Sequence, residues 1–350
     1  MEVERMVWRA TEKGWWRWEL ERQCSGSCYL PYVYGPTVRP YPNFNANNDA
    51  AALQKAITTK GVDEKTIISI LTNRTNTQRQ EVIKSYKNAT SKDLATDLKG
   101  ALSGHLETVI LGLLMTPAVY DAHIIRQSLQ GLGTDEECLI EMLVTRDNLR
   151  LRSMAVAYKS EFKSDMMQDI AKETSGDFQK LVLALAKGAR VEDSTKDHDL
   201  VDEDARELFE AGVKRKGTDV GKFITIMSQR SFSHLKKVFE AYKSYYPAGI
   251  VESFEKEVGG DLRNAFVSLA KAINYTPGFF AEKLNDSMKG LGTKDHMLIH
   301  IMVSRCELDL LHIRTEFKKK YKKSLYSAIA SDTKGDYEVA LCNLCGQDDV

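Results

Sequence analysis

The sequence predicts an all-α protein built from four similar repeats of about five helices each. Its 350 residues include seven prolines, and apolar residues recur at helical spacing rather than in long Val- and Thr-rich alternations. A hydrophobic fraction of 43% is enough for a sizeable core. The strongest observation is self-similarity, because four segments carry the same landmarks in the same order.

Four landmarks define the repeat. A reference position is followed by an arginine eleven residues later, an aromatic residue twelve further on and a glycine eighteen beyond that. In chain order they are Asp63, Asp135, Asp219 and Lys294; Arg74, Arg146, Arg230 and Arg305; Tyr86, Tyr158, Tyr242 and Phe317; and Gly104, Gly176, Gly260 and Gly335. The reference positions lie 72, 84 and 75 residues apart, and a polar linker accounts for the longer middle interval.

These intervals divide the chain into six segments. We expect an atypical tail at 1–36, repeat one at 37–115, repeat two at 116–187, the linker at 188–200, repeat three at 201–274 and repeat four at 275–350. In repeat two, the pattern from Thr134 to Glu137 is typical of a capping box, so Thr134 is the expected N-cap of the following helix.

Composition excludes several classes of protein. Lys+Arg and Asp+Glu are both 49, which argues against a dedicated nucleic-acid binder. No apolar run approaches the roughly 18 residues of a membrane span, and the first residues lack the apolar stretch of a secretory signal. Six cysteines are too sparse for a disulfide framework. We therefore expect a cytoplasmic protein, and, since no catalytic constellation stands out, not an enzyme.

The first turn of each repeat is the main functional signal. It reads Gly131-Leu132-Gly133-Thr134 in repeat two, Gly290-Leu291-Gly292-Thr293 in repeat four and Arg215-Lys216-Gly217-Thr218 in repeat three. Forty residues after the last glycine of each turn stand the acids Glu173, Asp332 and Glu257, respectively. Repeat one has Ala101 there, and we interpret its turn, which begins at Gly61, as two residues shorter.

This coupling of glycines to a distant acid favours a hard cation. Glycines allow a turn to present its carbonyl oxygens to one point, and a carboxylate from a second loop closes the site. Such a set supplies about five oxygens, whereas Ca²⁺ takes about six to eight. The remaining positions are open to a lipid phosphate, so the pattern predicts a weak Ca²⁺ site that binds acidic phospholipid through a bridging ion.

The repeated turns of K-G-x-G-T type, the acid and the Arg, Tyr and Gly-Asp landmarks resemble the annexin family, most closely its lipocortin type. The resemblance covers about residues 37–350. It implies a right-handed superhelical, slightly curved disc of four repeats whose convex face carries Ca²⁺ loops that dock on phosphatidylserine-rich membranes. It also associates the chain with membrane aggregation and trafficking and with phospholipase inhibition.

The resemblance also carries over candidate ligands, residue by residue. Repeats two and four match fully, and the match comprises Leu129, Gly131, Gly133, Thr134 and Glu173, and Met288, Gly290, Gly292, Thr293 and Asp332. Repeat three lacks its first glycine; its candidates are Gly212 (or Val213), Arg215, Gly217 and Glu257. Repeat one fits the family's weaker minor loops, with Gly61, Val62 and Glu64, and Lys99, Leu102 and Glu107.

Other features leave alternatives open. Residues 1–34 hold all four tryptophans among basic residues, and this segment is an amphipathic membrane or partner segment, a mistaken gene start or a disordered tail. His296 and His300 are better explained as an ordinary pair than as zinc ligands. The lysine-rich run 318–323 is interpreted as a solvated helix face, with anionic lipid or actin contact as the second interpretation.

The leading function is thus Ca²⁺-dependent binding to acidic phospholipid membranes, with Ca²⁺ as the cofactor. The alternative is a calcium-independent helical interaction scaffold. We expect a monomer in solution that associates reversibly with plasma and vesicle membranes and does not bind nucleic acid, and secretion without a signal peptide is compatible with the resemblance. Actin and an EF-hand protein are further candidate partners, although the tail helix that docks the latter in the family cannot be transferred to this chain.

Overall fold

The computed structural model describes residues 5–10, 16–21, 35–131, 133–192, 198–290 and 292–348. The chain divides into two compact units, residues 1–33 and residues 34–350.

The first unit contains an antiparallel pair of strands, which the sequence analysis did not predict. Strand β1 (Arg5–Ala10) pairs with β2 (Trp16–Glu21), so that Arg5 lies opposite Glu21 and Ala10 opposite Trp16. The signal was present, because residues 16–21, WRWELE, alternate apolar and polar side chains with the period of a strand. The contacts of the tryptophan side chains lie outside the described residues.

The second unit is helical, as the sequence predicted. Its first ten helices are α1 (Ala46–Thr58), α2 (Glu64–Leu71), α3 (Asn76–Thr90), α4 (Leu94–Ala101), α5 (Gly104–Leu114), α6 (Pro117–Ser128), α7 (Glu136–Thr145), α8 (Asn148–Phe162), α9 (Met166–Glu173) and α10 (Gly176–Ala186). The remaining nine are α11 (His198–Ala211), α12 (Val220–Gln229), α13 (Phe232–Tyr245), α14 (Gly249–Glu257), α15 (Gly260–Ser287), α16 (Asp295–Arg305), α17 (Leu310–Tyr321), α18 (Leu325–Asp332) and α19 (Gly335–Cys345).

Helix α15 is two helices joined without a loop. Tyr275 has φ −157° and ψ 88°, which is not helical, and Pro277 follows two residues later. Proline lacks the backbone N–H that a helix interior requires, so a continuous helix is disfavoured at this point. When the two parts of α15 are counted separately, the described residues form four sets of five helices, which is the arrangement that the landmarks predicted.

The first landmark is the N-cap of the second helix in each set. The carboxylates of Asp63, Asp135 and Asp219 accept hydrogen bonds from the backbone N–H three residues later. The prediction that Thr134 is the N-cap of α7 was therefore wrong by one residue, because the N-cap is Asp135. The physical reason is that the Thr134 hydroxyl is engaged elsewhere, where it donates to the carbonyl oxygen of Glu173.

The arginine landmark forms an ion pair within each set. Arg74 pairs with Asp49 at 2.6 Å, Arg146 with Asp121 at 3.0 Å and Arg230 with Asp204 at 2.7 Å. In the fourth set the position of the acid is taken by Phe280, and the guanidinium of Arg305 lies 4.5 Å from the centre of its ring. Arg305 pairs instead with Asp309 at 2.6 Å. A cation–π contact in the fourth set thus takes the place of the ion pair that the arginine makes with the first helix in the other three sets.

Ion pairs also join sets that are distant in the sequence. Arg79 of α3 donates to Glu307, which precedes α17, at 2.9 Å. His300 of α16 lies 2.9 Å from Glu141 of α7. The first contact joins the fourth set to the first, and the second joins the fourth set to the second. Among the described residues, the helices are too short or too polar to cross a membrane.

Candidate metal sites in the helix-turn loops

One backbone hydrogen bond closes the turn between the first two helices of each set. The N–H of the N-cap residue donates to a carbonyl at the end of the preceding helix, and the four pairs are Asp63 to Ala56 at 3.0 Å, Asp135 to Ser128 at 2.8 Å, Asp219 to Ala211 at 2.8 Å and Lys294 to Ser287 at 2.7 Å. The two bonded residues therefore lie seven positions apart in repeats one, two and four, and eight positions apart in repeat three.

The prediction of a turn two residues shorter in repeat one was therefore wrong. Counted from the N-cap, Gly61 occupies the position of Gly133, and Thr59 that of Gly131. Thr59 thus replaces the first glycine, and no residue is deleted. The error arose because Gly61 was aligned with the first glycine of the other turns, whereas it corresponds to the second.

The glycines of the complete turns have backbone angles that other residues rarely adopt. The φ angles are +123° and +103° at Gly131 and Gly133, and +110° and +92° at Gly290 and Gly292. No heavy atom of the described residues lies within 4 Å of a Cβ built at these positions. The requirement for glycine is therefore conformational, because these angles set the directions of the neighbouring carbonyls.

A threonine hydroxyl connects each such turn to the loop that carries the acid. Glu173, Glu257 and Asp332 are the last residues of α9, α14 and α18. Thr134 Oγ1 donates to the carbonyl oxygen of Glu173 at 3.1 Å, and Thr218 Oγ1 donates to that of Glu257 at 3.0 Å. Thr293 Oγ1 donates to the carboxylate of Asp332 at 2.6 Å. The structure thus brings the glycine turn and its acid together in three repeats.

Repeat three differs at its first candidate residues. Arg215 is at the position of the first glycine but is not among the residues with positive φ, whereas Gly217 has φ +84°. Gly212 is buried, and its carbonyl accepts a hydrogen bond from the N–H of Arg215 at 3.0 Å. A Cβ at Gly212 would lie 2.8 Å from the ring of Phe223. Gly212 is therefore required for packing against α12.

Repeat one places its minor candidates at two corners. Gly61 and Val62 both have positive φ, +87° and +46°, and Glu64 begins α2 directly after the N-cap. A positive φ is uncommon for a β-branched residue such as Val62, so this turn is strained. At the second corner Lys99 lies in the last turn of α4, the Leu102 N–H caps that helix and Glu107 lies in the first turn of α5.

A cavity of about 500 Å³ joins the loops of repeats one and four. Glu64 and residues 101–103 line it from repeat one, and Thr293 and Asp332 line it from repeat four. Deeper in the lining, Asp295 accepts from the Tyr337 hydroxyl at 2.9 Å. Burial and this hydrogen bond raise the pKa of Tyr337. Glu64 of repeat one and the candidate ligand Asp332 of repeat four therefore line the same cavity.

The donor set suits a hard cation. Among the described residues no three His, Cys, Asp or Glu side chains come together as a metal cluster. Each loop pair offers one carboxylate and several backbone carbonyls, which are oxygen ligands of the kind that Ca²⁺ prefers. His300 is buried against Glu141, whereas His296 is exposed, so these histidines do not form a shared zinc site.

Comparison with known proteins places the chain among relatives of the same architecture. The annexin sequence model matches four times, at residues 48–113, 120–185, 203–269 and 279–344. The chain is 50% identical over 312 residues to Annexin A1 of Rattus norvegicus, which covers 89% of this chain and 90% of that protein. The structure of annexin III superimposes with a TM-score of 0.88 at 46% identity, over 91% of this chain and 100% of that one. A calcium-bound annexin (Sm)1 superimposes with a TM-score of 0.80 at 32% identity, over 90% and 93% of the two chains.

Proposed function

This chain belongs to the annexin family, and we propose that it binds acidic phospholipid membranes through Ca²⁺ ions held in its helix-turn loops. The family is non-enzymatic, in agreement with the sequence analysis. The observation that carries the proposal is the threonine bridge, which places a glycine turn beside an acid in repeats two, three and four.

Each ion is proposed to take carbonyl oxygens from the glycine turn and a carboxylate from the neighbouring loop. The ligands are carbonyls of Leu129, Gly131 and Gly133 with Glu173; Gly212, Arg215 and Gly217 with Glu257; and Met288, Gly290 and Gly292 with Asp332. Repeat one contributes weaker ions at Glu64 and Glu107. The role of Thr134 and Thr293 is to hold the two loops together, which their hydrogen bonds support.

A lipid phosphate completes the coordination of each ion. A single carboxylate supplies little negative charge for a Ca²⁺ site. Without lipid, the ion therefore binds weakly, with a dissociation constant of about 10⁻⁴–10⁻³ M as in other low-charge modules. A phosphate oxygen supplies the missing anion. Linkage then requires Ca²⁺ to raise the affinity for lipid by the same factor by which lipid raises the affinity for Ca²⁺.

The finer cellular roles remain proposals by resemblance. They are membrane aggregation and trafficking, phospholipase inhibition and reversible association with the plasma membrane and vesicles, with the protein monomeric in solution. The resemblance to Annexin A1 supports them at the level of the family.

The deciding experiment is sedimentation with phosphatidylserine vesicles over a range of Ca²⁺ concentrations. We expect E173A and D332A each to shift half-maximal binding to higher Ca²⁺, and the triple variant E173A/E257A/D332A nearly to abolish binding. The single losses are partial because several weak sites act together on one surface.

A matched control removes the same charge from the same corners. Asp177, Asp261 and Asp336 each stand four residues after a proposed ligand, and D177A/D261A/D336A should retain most of the binding. A ligand triple variant that binds like the parent would refute the assigned acids. Calcium-independent binding of a protein partner, with no response to the vesicles, would favour the scaffold alternative instead.

A further inference from the structure

The antiparallel strand pair of the first unit has two faces that differ in chemistry. Successive residues of a strand belong to opposite faces, and residues directly opposite each other on paired strands belong to the same face. The register of β1 and β2 therefore assigns each of their residues to one of two faces, which are called here the apolar face and the charged face.

The apolar face carries no charged residue among the described positions. Its three cross-strand pairs are Met6 with Leu20, Trp8 with Trp18 and Ala10 with Trp16. An isolated two-stranded pair is only marginally stable in water, so a surface that covers this face would stabilise it. Tryptophan is enriched where a bilayer meets water, because its ring is apolar and its N–H is polar.

The charged face is polarised along the strands. Its three cross-strand pairs are Arg5 with Glu21, Val7 with Glu19 and Arg9 with Arg17. Both glutamates lie at one end, whereas the end next to residues 11–15 carries the two arginines and, among the described residues, no acid. Two like charges directly opposite each other destabilise a strand pair, and a nearby anion relieves that repulsion.

An acidic bilayer surface is complementary to both faces. An amphipathic element with arginine on its polar face and tryptophan and leucine on the other lies in the plane of the membrane interface, and anionic lipids strengthen its binding. The outer edges of a two-stranded pair leave backbone groups unpaired within the pair, which excludes it from the hydrocarbon core but not from the hydrated interface.

We propose that the strand pair β1–β2 is a second lipid-binding element, which binds acidic bilayer surfaces without Ca²⁺. The residues of the apolar face occupy the boundary between headgroups and acyl chains, and Arg9 and Arg17 lie among the lipid phosphates. This proposal does not rest on the helix-turn loops, so either proposal can fail without the other.

Tryptophan fluorescence of the full chain gives a specific test, because all four tryptophans lie within residues 8–18. The chain is titrated in buffer with a calcium chelator, using vesicles of phosphatidylserine with phosphatidylcholine or of phosphatidylcholine alone. Each composition is also prepared with lipid brominated near the headgroup end of one acyl chain. We expect the acidic vesicles to shift the emission saturably to the blue and their brominated form to quench it, with roughly tenfold weaker binding to phosphatidylcholine alone.

One pair of variants separates the two faces. L20S removes an aliphatic side chain from the apolar face, and V7S removes one from the charged face. We expect L20S to weaken binding to acidic vesicles roughly tenfold, because it removes a large apolar contact with the membrane. V7S should bind like the parent, although it makes a similar change in the same strand pair.

A second pair of variants tests the arginines. R9Q/R17Q should weaken binding to acidic vesicles roughly tenfold and leave binding to phosphatidylcholine vesicles unchanged. K84Q/K87Q removes the same number of positive charges from exposed positions of α3 and should leave both unchanged. The ligand triple variant E173A/E257A/D332A should bind like the parent in this calcium-free assay.

Four results would overturn the proposal. They are the absence of a blue shift and quenching at the highest concentration of acidic vesicles, equal affinities of L20S and V7S, and loss of calcium-free binding in the ligand triple variant. The fourth is a blue shift that follows the protein concentration instead of the lipid concentration, because a second copy of the chain would then cover the apolar face. Sedimentation that still depends on Ca²⁺ in any of these cases would leave the proposed function intact.

Discussion

At the scale of single residues, hydroxyl donors and their acceptors change together among the repeats. Tyr86 donates to Asp97 at 2.7 Å, Tyr158 to Asp169 at 2.9 Å and Tyr242 to Ser253 at 2.8 Å. The corresponding residues of repeat four are Phe317 and Ala328, which are both buried. Where the tyrosine donor is lost its acceptor is lost too, so repeat four has no unpaired hydroxyl at these two positions.

This pairing predicts a non-additive pair of substitutions. Y242F leaves the fully buried Ser253 hydroxyl without its donor and should cost about 1–3 kcal/mol of unfolding free energy. The double variant Y242F/S253A, which copies the pair of repeat four, should cost less than Y242F alone. Urea unfolding of both variants checks this, and a double variant that is the less stable of the two would contradict it.

A second residue-scale prediction concerns the acid that repeat one lacks. Its turn has the same length as those of repeats two and four, and Gly61 has the position and a positive φ like those of Gly133. We expect A101E to lower the Ca²⁺ concentration for half-maximal vesicle binding, because it adds a carboxylate beside that turn. A89E adds the same charge at an exposed position of α3 and should leave that concentration unchanged; equal effects of the two would count against a site at this turn.

At the scale of elements, the second helix of each repeat begins with the same backbone geometry but not with the same cap. Lys294 has φ −80° and ψ 74°, close to the −83° and 82° of Asp135, yet its side chain makes no capping hydrogen bond. The N–H groups at the start of α16 therefore lack the carboxylate acceptor that Asp63, Asp135 and Asp219 supply to the other three helices.

Supplying that cap should stabilise the protein. K294D is expected to be more stable than K294A by about 1 kcal/mol, the usual contribution of an aspartate N-cap. K294A is the appropriate control because both changes remove the exposed contact between Lys294 and Glu137, which contributes little. The measurement is the free energy of unfolding in urea, and equal stabilities would show that the cap does not form.

At the scale of the whole molecule, buried charges join repeats that are far apart in the sequence. Glu141 of repeat two is 1% exposed, and it lies 2.9 Å from both His300 of repeat four and Arg146. Burial alone would raise the pKa of Glu141, but His300 and Arg146 hold it at about 2. Asp121 is the other carboxylate that pairs with Arg146.

This depressed pKa predicts an acid-sensitive contact. The folded-state pKa lies below the ordinary value of 4.5, so the contribution of Glu141 is fully present above pH 4.5 and is lost as the pH falls towards 2. Its size is on the order of 3 kcal/mol. At neutral pH, E141Q should be less stable than the parent by a few kcal/mol, because it removes one of the two buried carboxylates that balance the charge of the buried Arg146.

The difference between parent and E141Q should therefore shrink as the pH falls through this window. Unfolding free energies measured at a series of pH values check this. E255Q, at an exposed glutamate of α14, should differ from the parent little and by a constant amount. A difference for E141Q that is independent of pH would mean that Glu141 is not ionised in the folded protein.

The sequence by itself determined the repeat number, the helical class and the acids that face the glycine turns. These depend on local rules: helical periodicity, glycine at positive φ, and offsets that hold in every repeat because each repeat folds in the same way. The alternation of residues 16–21 is equally local and typical of a strand, but the sequence analysis did not predict that strand.

The tertiary structure alone decided which groups meet across distances that no local rule sets. The Thr134 hydroxyl satisfies the cap pattern in the sequence, but the neighbouring loop offers it the carbonyl of Glu173, and Asp135 caps the helix instead. The contact of Glu141 with His300 and, among the described residues, the unpaired nitrogen of Arg79 both follow from the packing of repeats one, two and four against one another. Packing brings together residues more than 150 positions apart, and a buried charge there is stabilised or left unpaired according to which neighbours that packing supplies.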